Sequence, residues 1–363
     1  MKDRCKGKRI GSAKIHKGIA VDDLIDGFFN AYNAARLSEA CRLMERKILA
    51  GDSVVVGVSL TGAITPTGLG ASALVTWIEN GWIDYLVTTG ANLYHDLHFG
   101  LNLPLHKSTP FVDDRELKKH GVIRIYDIVF DFDVLARSDK YCDHILRQPE
   151  FSRKMGTAEL HNLMGKYVDA TEKETGCSGS TILGAAHRAA MPVFCPSPGD
   201  STIGLNAAAI SFEKPGLDMD TIRDVSDSAA IALHAKRTGE SAVLIFGGGS
   251  PKNFLLQTMP QLDEIMGIHV SGHDYFIQIT DARPDTGGLS GATPQEAVSW
   301  GKVDPEMVPD TVVGYMDTTI ALPLMTAYLL NRIPARKPKR LYERKEELYK
   351  KLADEYAQVR LEN

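Results

Sequence analysis

A carboxylate, an indole and a lysine stand close together in the stretch Glu296-Ala-Val-Ser-Trp300-Gly301-Lys302. On a helix, residues four apart lie on one face, so Glu296 and Trp300 point to the same side. Gly301 ends the helix and frees Lys302 to turn into a cavity. A carboxylate beside an indole suits a cationic amine, through charge pairing and a cation–π attraction of about 0.5–2 kcal/mol. The stretch therefore predicts an amine pocket beside a lysine.

Lys302 is the candidate nucleophile. Desolvation and a cationic ligand both lower the pKa of a lysine, and the free amine that results is able to form an imine. The alternative is an ordinary charged residue that ends a helix. The loop before this helix, residues 280–293, is rich in Gly, Asp and Thr. Such a loop is costly to order, so we expect it to bind a dinucleotide.

Three consecutive glycines, Gly247 to Gly249, follow an apolar run and precede Ser-Pro-Lys252. The proline suits the first turn of a helix, and the glycines permit positive φ and close approach of a ligand. The amides at the helix start then point at an anion. The spacing is not that of a P-loop. We interpret the segment as an anion-binding turn, with a structural glycine turn as the alternative.

The segment Gly68-Leu-Gly70-Ala-Ser-Ala73 matches a dinucleotide fingerprint in its letters. About nine residues separate it from the preceding strand, whereas the fingerprint needs a tight turn between strand and helix. Close helix packing through small residues is the alternative, and we favour it.

Three histidines, His95, His98 and His106, lie near Asp96 and invite a metal interpretation. They lack the His-Glu-x-x-His spacing of a zinc helix, so we expect them to form hydrogen bonds and predict no metal site.

Composition excludes several classes of function. The 363 residues carry 41 basic and 46 acidic side chains, a net charge of −5, which provides no basic field for nucleic acid. The five cysteines form no Cys-x-x-Cys pair, which favours reduced thiols and a cytoplasmic location. No signal peptide and no membrane span are expected.

The elements that must position these residues follow an alternating pattern. Apolar runs alternate with helical stretches such as 71–79, which indicates a parallel sheet covered on both faces. The predicted strands are residues 54–58, 83–87, 192–195, 242–246, 275–279 and 312–315. We predict a doubly wound, mostly parallel, Rossmann-like α/β fold, in which ligands bind beyond the carboxyl ends of the strands.

The chain divides into three parts on this interpretation. Residues 1–50 form an arm and helices, with one helical pattern running from Val21 to Met44. Residues 51–333 form the nucleotide-binding domain. Residues 334–363 form a charged helix with one apolar stripe, made of Leu341, Leu348, Leu352 and Tyr356.

Four motifs together resemble the deoxyhypusine synthase family. They are the Glu-Ala-Val-Ser-Trp-Gly-Lys stretch, the Gly-Gly-Gly-x-x-Lys turn, Val-Thr-Thr at 87–89 and Pro-Val-Phe-x-Pro at 192–196. The similarity runs from about Val54 to Leu324. The resemblance implies an NAD-dependent homotetramer that moves an aminobutyl group from spermidine, through an imine on Lys302, to an amine acceptor. Homospermidine synthesis with putrescine as acceptor and a catalytically silent NAD-binding homologue are the alternatives.

The resemblance also implies roles for individual residues. Lys302 matches the catalytic lysine, and Glu296 and Trp300 match amine-contacting residues. The positions that match NAD contacts are Thr89, Asp200, Gly247, Gly248, Thr280, Asp317 and, across a loop one residue longer, Asp285 and Gly287. Departures fall on the substrate side, where the family has an Asp, a His, an Asn and a Tyr and this chain has Leu205, Asn253, Gln257 and Ile277. Of these, we expect Asn253 and Gln257 to contact substrate; the donor and the acceptor stay undetermined by sequence.

Overall fold

The structure is a computed structural model that describes residues 7, 9–213 and 217–362. The part of the predicted N-terminal arm that precedes residue 9 lies mostly outside the described residues, and this part includes Cys5. Asn363 also lies outside them. Within the described ranges, no helix is long and apolar enough to cross a membrane. The cysteines that the structure describes, Cys41, Cys142, Cys177 and Cys195, are all free thiols.

The strands are numbered in chain order. They are β1 (Val54–Leu60), β2 (Tyr85–Thr88), β3 (His106–Lys107), β4 (Val122–Ile125), β5 (Ile128–Asp131), β6 (Lys154–Met155), β7 (Val193–Phe194), β8 (Asp218–Met219), β9 (Glu240–Phe246), β10 (Tyr275–Thr280) and β11 (Thr311–Tyr315).

The α-helices are numbered in the same way. They are α1 (Val21–Phe28), α2 (Tyr32–Leu43), α3 (Thr76–Glu79), α4 (Gly90–Gly100), α5 (Asp114–Lys119), α6 (Phe132–Leu146), α7 (Thr157–Thr175), α8 (Ile182–Ala189), α9 (Thr202–Ser211), α10 (Thr221–Thr238), α11 (Gly249–Leu256), α12 (Thr258–Pro260), α13 (Pro294–Ser299), α14 (Thr318–Arg332) and α15 (Lys345–Glu362). Three π-helical segments, Met44–Ile48, Gly70–Val75 and Gln261–Ile265, adjoin α2, α3 and α12.

A six-stranded sheet in the order β11-β10-β9-β1-β2-β7 forms the centre of the molecule. Every neighbouring pair in it is parallel. Each residue of β1, β2 and β10 is buried, because helices cover both faces of the sheet and leave no polar side to alternate with. The α/β fold predicted from the apolar runs is confirmed, and all six predicted strands are present.

Three features differ from the sequence prediction, and the third lies in the C-terminal segment. The helical pattern from Val21 to Met44 is divided into α1 and α2, and Tyr32, where α2 begins, has a φ of 55°. An antiparallel sheet in the order β3-β5-β4 was not foreseen. Its signal was present, since two short apolar runs flank Tyr126-Asp127, and Tyr126 takes the positive φ of a tight hairpin turn.

The chain after α14 does not continue as a helix until Lys345. The segment before α15 instead runs along the start of the sheet, where Lys339 Nζ lies 2.9 Å from the fully buried carboxylate of Asp84. The same carboxylate accepts a hydrogen bond of 2.8 Å from the amide of Val56 in β1. Burial raises the pKa of Asp84, while the Lys339 ammonium opposes that rise. This ion pair ties the C-terminal segment to the central strands.

We expect Lys339→Met to lower the free energy of unfolding by about 3 kcal/mol, because it leaves the Asp84 carboxylate buried without its cation. Without the ammonium, the pKa of Asp84 rises further, so the loss shrinks as pH falls and the carboxyl takes up a proton. Urea denaturation at pH 5 and pH 8 measures both effects. Lys337→Met, at a neighbouring exposed lysine, is the control; equal stability of the two variants contradicts the prediction.

Candidate active site

Helix α13 and the turn after it present Lys302. The Thr293 hydroxyl caps the helix by accepting from the amide of Glu296 at 3.2 Å, and Pro294 occupies the first turn. At the other end Gly301 has a φ of 65°, and the amide of Lys302 returns to the Ala297 carbonyl at 3.0 Å. The glycine end of the helix was predicted, whereas the Thr293 cap is a finding of the structure.

The amine of Lys302 lies between an amide and an indole. Its Nζ donates to Asn253 Oδ1 at 3.1 Å and lies 5.7 Å from the centre of the Trp300 ring. Burial lowers the pKa of Lys302, and the Glu296 carboxylate partly opposes that shift. The lowered pKa increases the fraction of free amine, which is the nucleophilic form.

One large cavity, of about 1190 Å³, contains this group. Its lining includes Asn253, Gln257, Gly287, Glu296, Trp300 and Lys302. Thus all of the predicted catalytic and substrate-binding residues, and one predicted cofactor residue, share a single space. The helical segments from Gly249 to Ile265 form one wall, and the loop before α13 forms another.

The glycine turn at the end of β9 opens beside this cavity. Gly247 and Gly249 have φ values of 83° and 58°, a region that favours glycine. A side chain on Gly248 would overlap Ser290, so this glycine allows the loop before α13 to lie directly against the turn. Helix α11 begins at Gly249, as the sequence predicted.

Lys252 is a buried residue in this region whose role the sequence did not indicate. Only 1% of its surface is exposed. Its Nζ donates to the Ala292 carbonyl at 2.7 Å, to Gln278 Oε1 at 3.0 Å and to the Ser290 carbonyl at 3.5 Å. Burial and then the positive charge of Lys302 lower the pKa of Lys252 to about 8. The signals in the sequence were its place in the Gly-Gly-Gly-x-x-Lys turn and its position one turn into α11.

The predicted cofactor residues lie at the carboxyl edge of the sheet, where loops bind ligands in this fold class. Thr89 follows β2 and donates to the Gly62 carbonyl at 2.6 Å, while Thr280 ends β10 and accepts from the Ala282 amide at 3.1 Å. Asp317 follows β11 and caps α14. Asp200 lies in the loop between β7 and α9.

The loop that carries Asp285 and Gly287 reaches from this edge to the cavity. Asp285 is exposed and paired with Arg283, whose Nε lies 3.0 Å from its carboxylate. Of the predicted cofactor residues, Gly287 lines the cavity around Lys302, whereas the others border the sheet edge outside that lining.

Two of the positions that depart from the resembled family lie away from the cavity. Ile277 is fully buried in the core of β10, and Leu205 is 64% exposed on α9. Neither lines the cavity of Lys302. In this chain the departures that meet the cavity are Asn253 and Gln257.

The weaker motifs have structural roles. A side chain on Gly70 would overlap the buried Asp96 carboxyl, so the glycine of the apparent fingerprint serves close packing. His95 and His98 share a hydrogen bond of 3.1 Å, and His98 contacts Ser138 at 2.7 Å. Among the described residues there is no group of His, Cys, Asp or Glu arranged to hold a metal ion.

Comparisons with known proteins identify the family and the fold. The family model described as deoxyhypusine synthase matches residues 24–329. A deoxyhypusine synthase-like protein from Nostoc sp. is 54% identical over 351 residues, 96% of this chain and 91% of that protein. A protein from Archaeoglobus fulgidus, named probable deoxyhypusine synthase 1, is 35% identical over 89% of this chain and 98% of its own length. The crystal structure of an Entamoeba histolytica protein assigned as a deoxyhypusine synthase superposes with a TM-score of 0.57 at 14% identity, covering 90% of this chain and 99% of that one.

We expect Glu296→Gln to lower the pKa of Lys302 further, because the variant removes the carboxylate that favours the ammonium form. The rate at which acetic anhydride modifies Lys302, followed by mass spectrometry from pH 6 to 11, reports this pKa. The midpoint of the rate should move to lower pH. Glu306→Gln, at an exposed position on the following turn, is the control; a midpoint that is unchanged or higher in Glu296→Gln contradicts the expectation.

Proposed function

The chain belongs to the deoxyhypusine synthase family, and so to a family of transferases; from this premise we propose that it moves an aminoalkyl group from spermidine or a related polyamine to an amine acceptor. The transfer uses NAD and passes through an imine on Lys302. The observation that carries the proposal is the half-buried Lys302 amine, with its lowered pKa, in one cavity with Glu296 and Trp300.

Each residue of the amine site has a task in this reaction. The Glu296 carboxylate pairs with an ammonium group of the donor, and the Trp300 indole receives the same charge on its face. Asn253 holds the Lys302 amine by its present hydrogen bond of 3.1 Å. The amine attacks the imine carbon of the oxidised donor, the bond from that carbon to the leaving nitrogen breaks, and a smaller amine departs.

The acceptor then takes the aminoalkyl group from Lys302. Its amine attacks the imine carbon on Lys302, and the lysine leaves as a free amine, ready for another cycle. A pKa lowered by burial helps both steps, since Lys302 must be neutral to attack and must leave without holding the carbon as a stable adduct.

The residues at the sheet edge suit NAD. Gly247 and Gly248 in the turn after β9 are proposed NAD contacts, and the carboxylates of Asp200 and Asp317 offer acceptors for ribose hydroxyls. When bound, NAD supplies the hydride acceptor that oxidises the donor and the hydride donor that reduces the product, with no net redox change. Thr89, Thr280, Asp285 and Gly287 complete the proposed cofactor contacts.

The residues that line the cavity bear on the identity of the donor. In place of a family histidine and asparagine, the cavity has Asn253 and Gln257, which are neutral at every pH. Glu264, at the far end of the same helical wall, is the other carboxylate in the cavity lining besides Glu296. The two carboxylates suit a donor with two separated positive charges, as in a polyamine.

We also propose that the protein is a cytoplasmic homotetramer. Trp300 and Ile265 line the cavity yet are 63% and 65% exposed in one chain. An imine hydrolyses unless water is excluded, so a second copy over these apolar side chains would complete the site.

We expect light scattering after size exclusion to give four times the 39.7 kDa mass of the chain; a monomer at micromolar concentration contradicts this expectation.

The decisive experiment traps the intermediate. The protein is incubated with NAD and spermidine, reduced with borohydride and digested, and the peptide that contains Lys302 is weighed. We expect an aminobutyl adduct on Lys302 and release of 1,3-diaminopropane. Lys302→Arg, which keeps the positive charge, should give neither.

The outcomes separate the proposal from its rivals. An adduct from another polyamine but not from spermidine keeps the reaction and changes the donor. Formation of homospermidine when putrescine is added identifies a small-amine acceptor, although no comparison supports that alternative. Tight NAD binding in calorimetry, with no adduct from any polyamine tested, refutes the proposed transfer and identifies a catalytically silent homologue.

A further inference from the structure

A buried set of hydrogen bonds joins the glycine turn, the sheet and the loop before α13. We call it the Lys252 clamp; it consists of Lys252, Gln278, the carbonyls of Gly247, Ser290 and Ala292, and the Ser290 hydroxyl. Lys252 and Gln278 are each only 1% exposed. Their contacts are all with neutral groups, because the partners of Lys252 are two carbonyls and an amide oxygen.

Gln278 extends the clamp to the end of β9. Its Nε2 donates to the Gly247 carbonyl at 2.9 Å and to the Ser290 carbonyl at 2.8 Å, while its Oε1 accepts from Lys252. The Ser290 hydroxyl accepts from the Gly249 amide at 3.0 Å. Helix α11, strand β10 and the loop before α13 therefore meet around the Nζ of Lys252.

The clamp ends directly at the element that carries the reacting amine. Ala292, which receives the 2.7 Å hydrogen bond from Lys252, precedes the Thr293 cap of α13. Helix α13 has only six residues, and Lys302 follows it after Trp300 and Gly301. A helix this short has little stability of its own, so its orientation depends on how its two ends are held.

Stability alone does not account for a lysine at this place. A buried ammonium without a carboxylate partner costs several kcal/mol of desolvation, and apolar residues of similar volume are often as stable or more so. Lys252 also lines the same cavity as Lys302, and the positive charge of Lys302 contributes to the lowered pKa of Lys252. Both facts favour a role in the site over a role in the core.

We propose that Lys252 is a positioning residue for Lys302. By clamping the Ser290 and Ala292 carbonyls against the glycine turn, its ammonium fixes the start of α13 and so aims the Lys302 amine into the cavity. The inference rests on the proposed function only in treating Lys302 as the reacting amine. It requires neither NAD nor a polyamine to be tested.

The test measures the reactivity of Lys302 toward a simple aldehyde. Butanal condenses with the amine to an imine and releases water, and cyanoborohydride reduces the imine to a stable secondary amine. Mass spectrometry compares the rate at Lys302 with the rate at the exposed Lys350 of α15 in the same molecules. Lys252→Met, which keeps the chain length and removes the ammonium, should lower this ratio about tenfold or more, as expected for a misplaced reacting group.

Leu255→Ala is the matched control. Leu255 is fully buried on the same helix and faces the core, so its truncation lowers the thermal midpoint and leaves the clamp intact. We expect its Lys302 to Lys350 ratio to stay near that of the wild type. A ratio in Lys252→Met that equals the wild type, or that falls no further than in Leu255→Ala, overturns the proposal.

A second variant covers the case in which Lys252→Met does not fold. Gln278→Met removes the other buried side chain of the clamp and should lower the ratio in the same direction. If this variant folds and retains the wild-type ratio, the clamp does not position Lys302. A wild-type protein that shows the expected aldehyde reactivity but forms no polyamine adduct refutes the proposed function and leaves this inference standing.

Discussion

Burial of the parallel sheet on both faces is the constraint on which the rest of the molecule depends. Strands without a polar face cannot carry a site along their length, so polar and flexible residues gather where the strands end. The glycine turn after β9 and the loop after β10 meet there, because these two strands are neighbours in the sheet. Their adjacency brings the proposed cofactor turn and the lysine-bearing helix to one cavity.

The cavity lining carries two lysines, Lys252 and Lys302, and two glutamates, Glu264 and Glu296. Burial lowers the pKa of each lysine. Glu296 favours the charged form of both lysines and so limits how far their pKa values fall. The positive charge of Lys302 also contributes to the lowered pKa of Lys252, because two ammonium groups in one cavity repel each other.

The family relationship gives the reaction class, whereas the chain's own residues decide what it acts on. The Nostoc relative at 54% identity is named deoxyhypusine synthase-like protein, and the Archaeoglobus fulgidus relative at 35% is named probable deoxyhypusine synthase 1. Asn253 lies next to the Lys302 amine, carries no charge and accepts a hydrogen bond from that amine. On the proposed function, Asn253 and Gln257 on this wall of the cavity are the residues that select the donor and the acceptor.

Local residue types and spacing are enough to predict the alternation of strands and helices, the glycine turn and the short helix before Lys302. They also singled out Glu296 and Trp300 by their four-residue spacing, although Trp300 is the C-cap residue just after α13 and not part of the helix. Only the tertiary structure decided that Ile277 lies in the core and that Lys252 joins three distant segments. The partners of a buried side chain are distant in sequence, and their distances follow from strand order and packing, which no local pattern records.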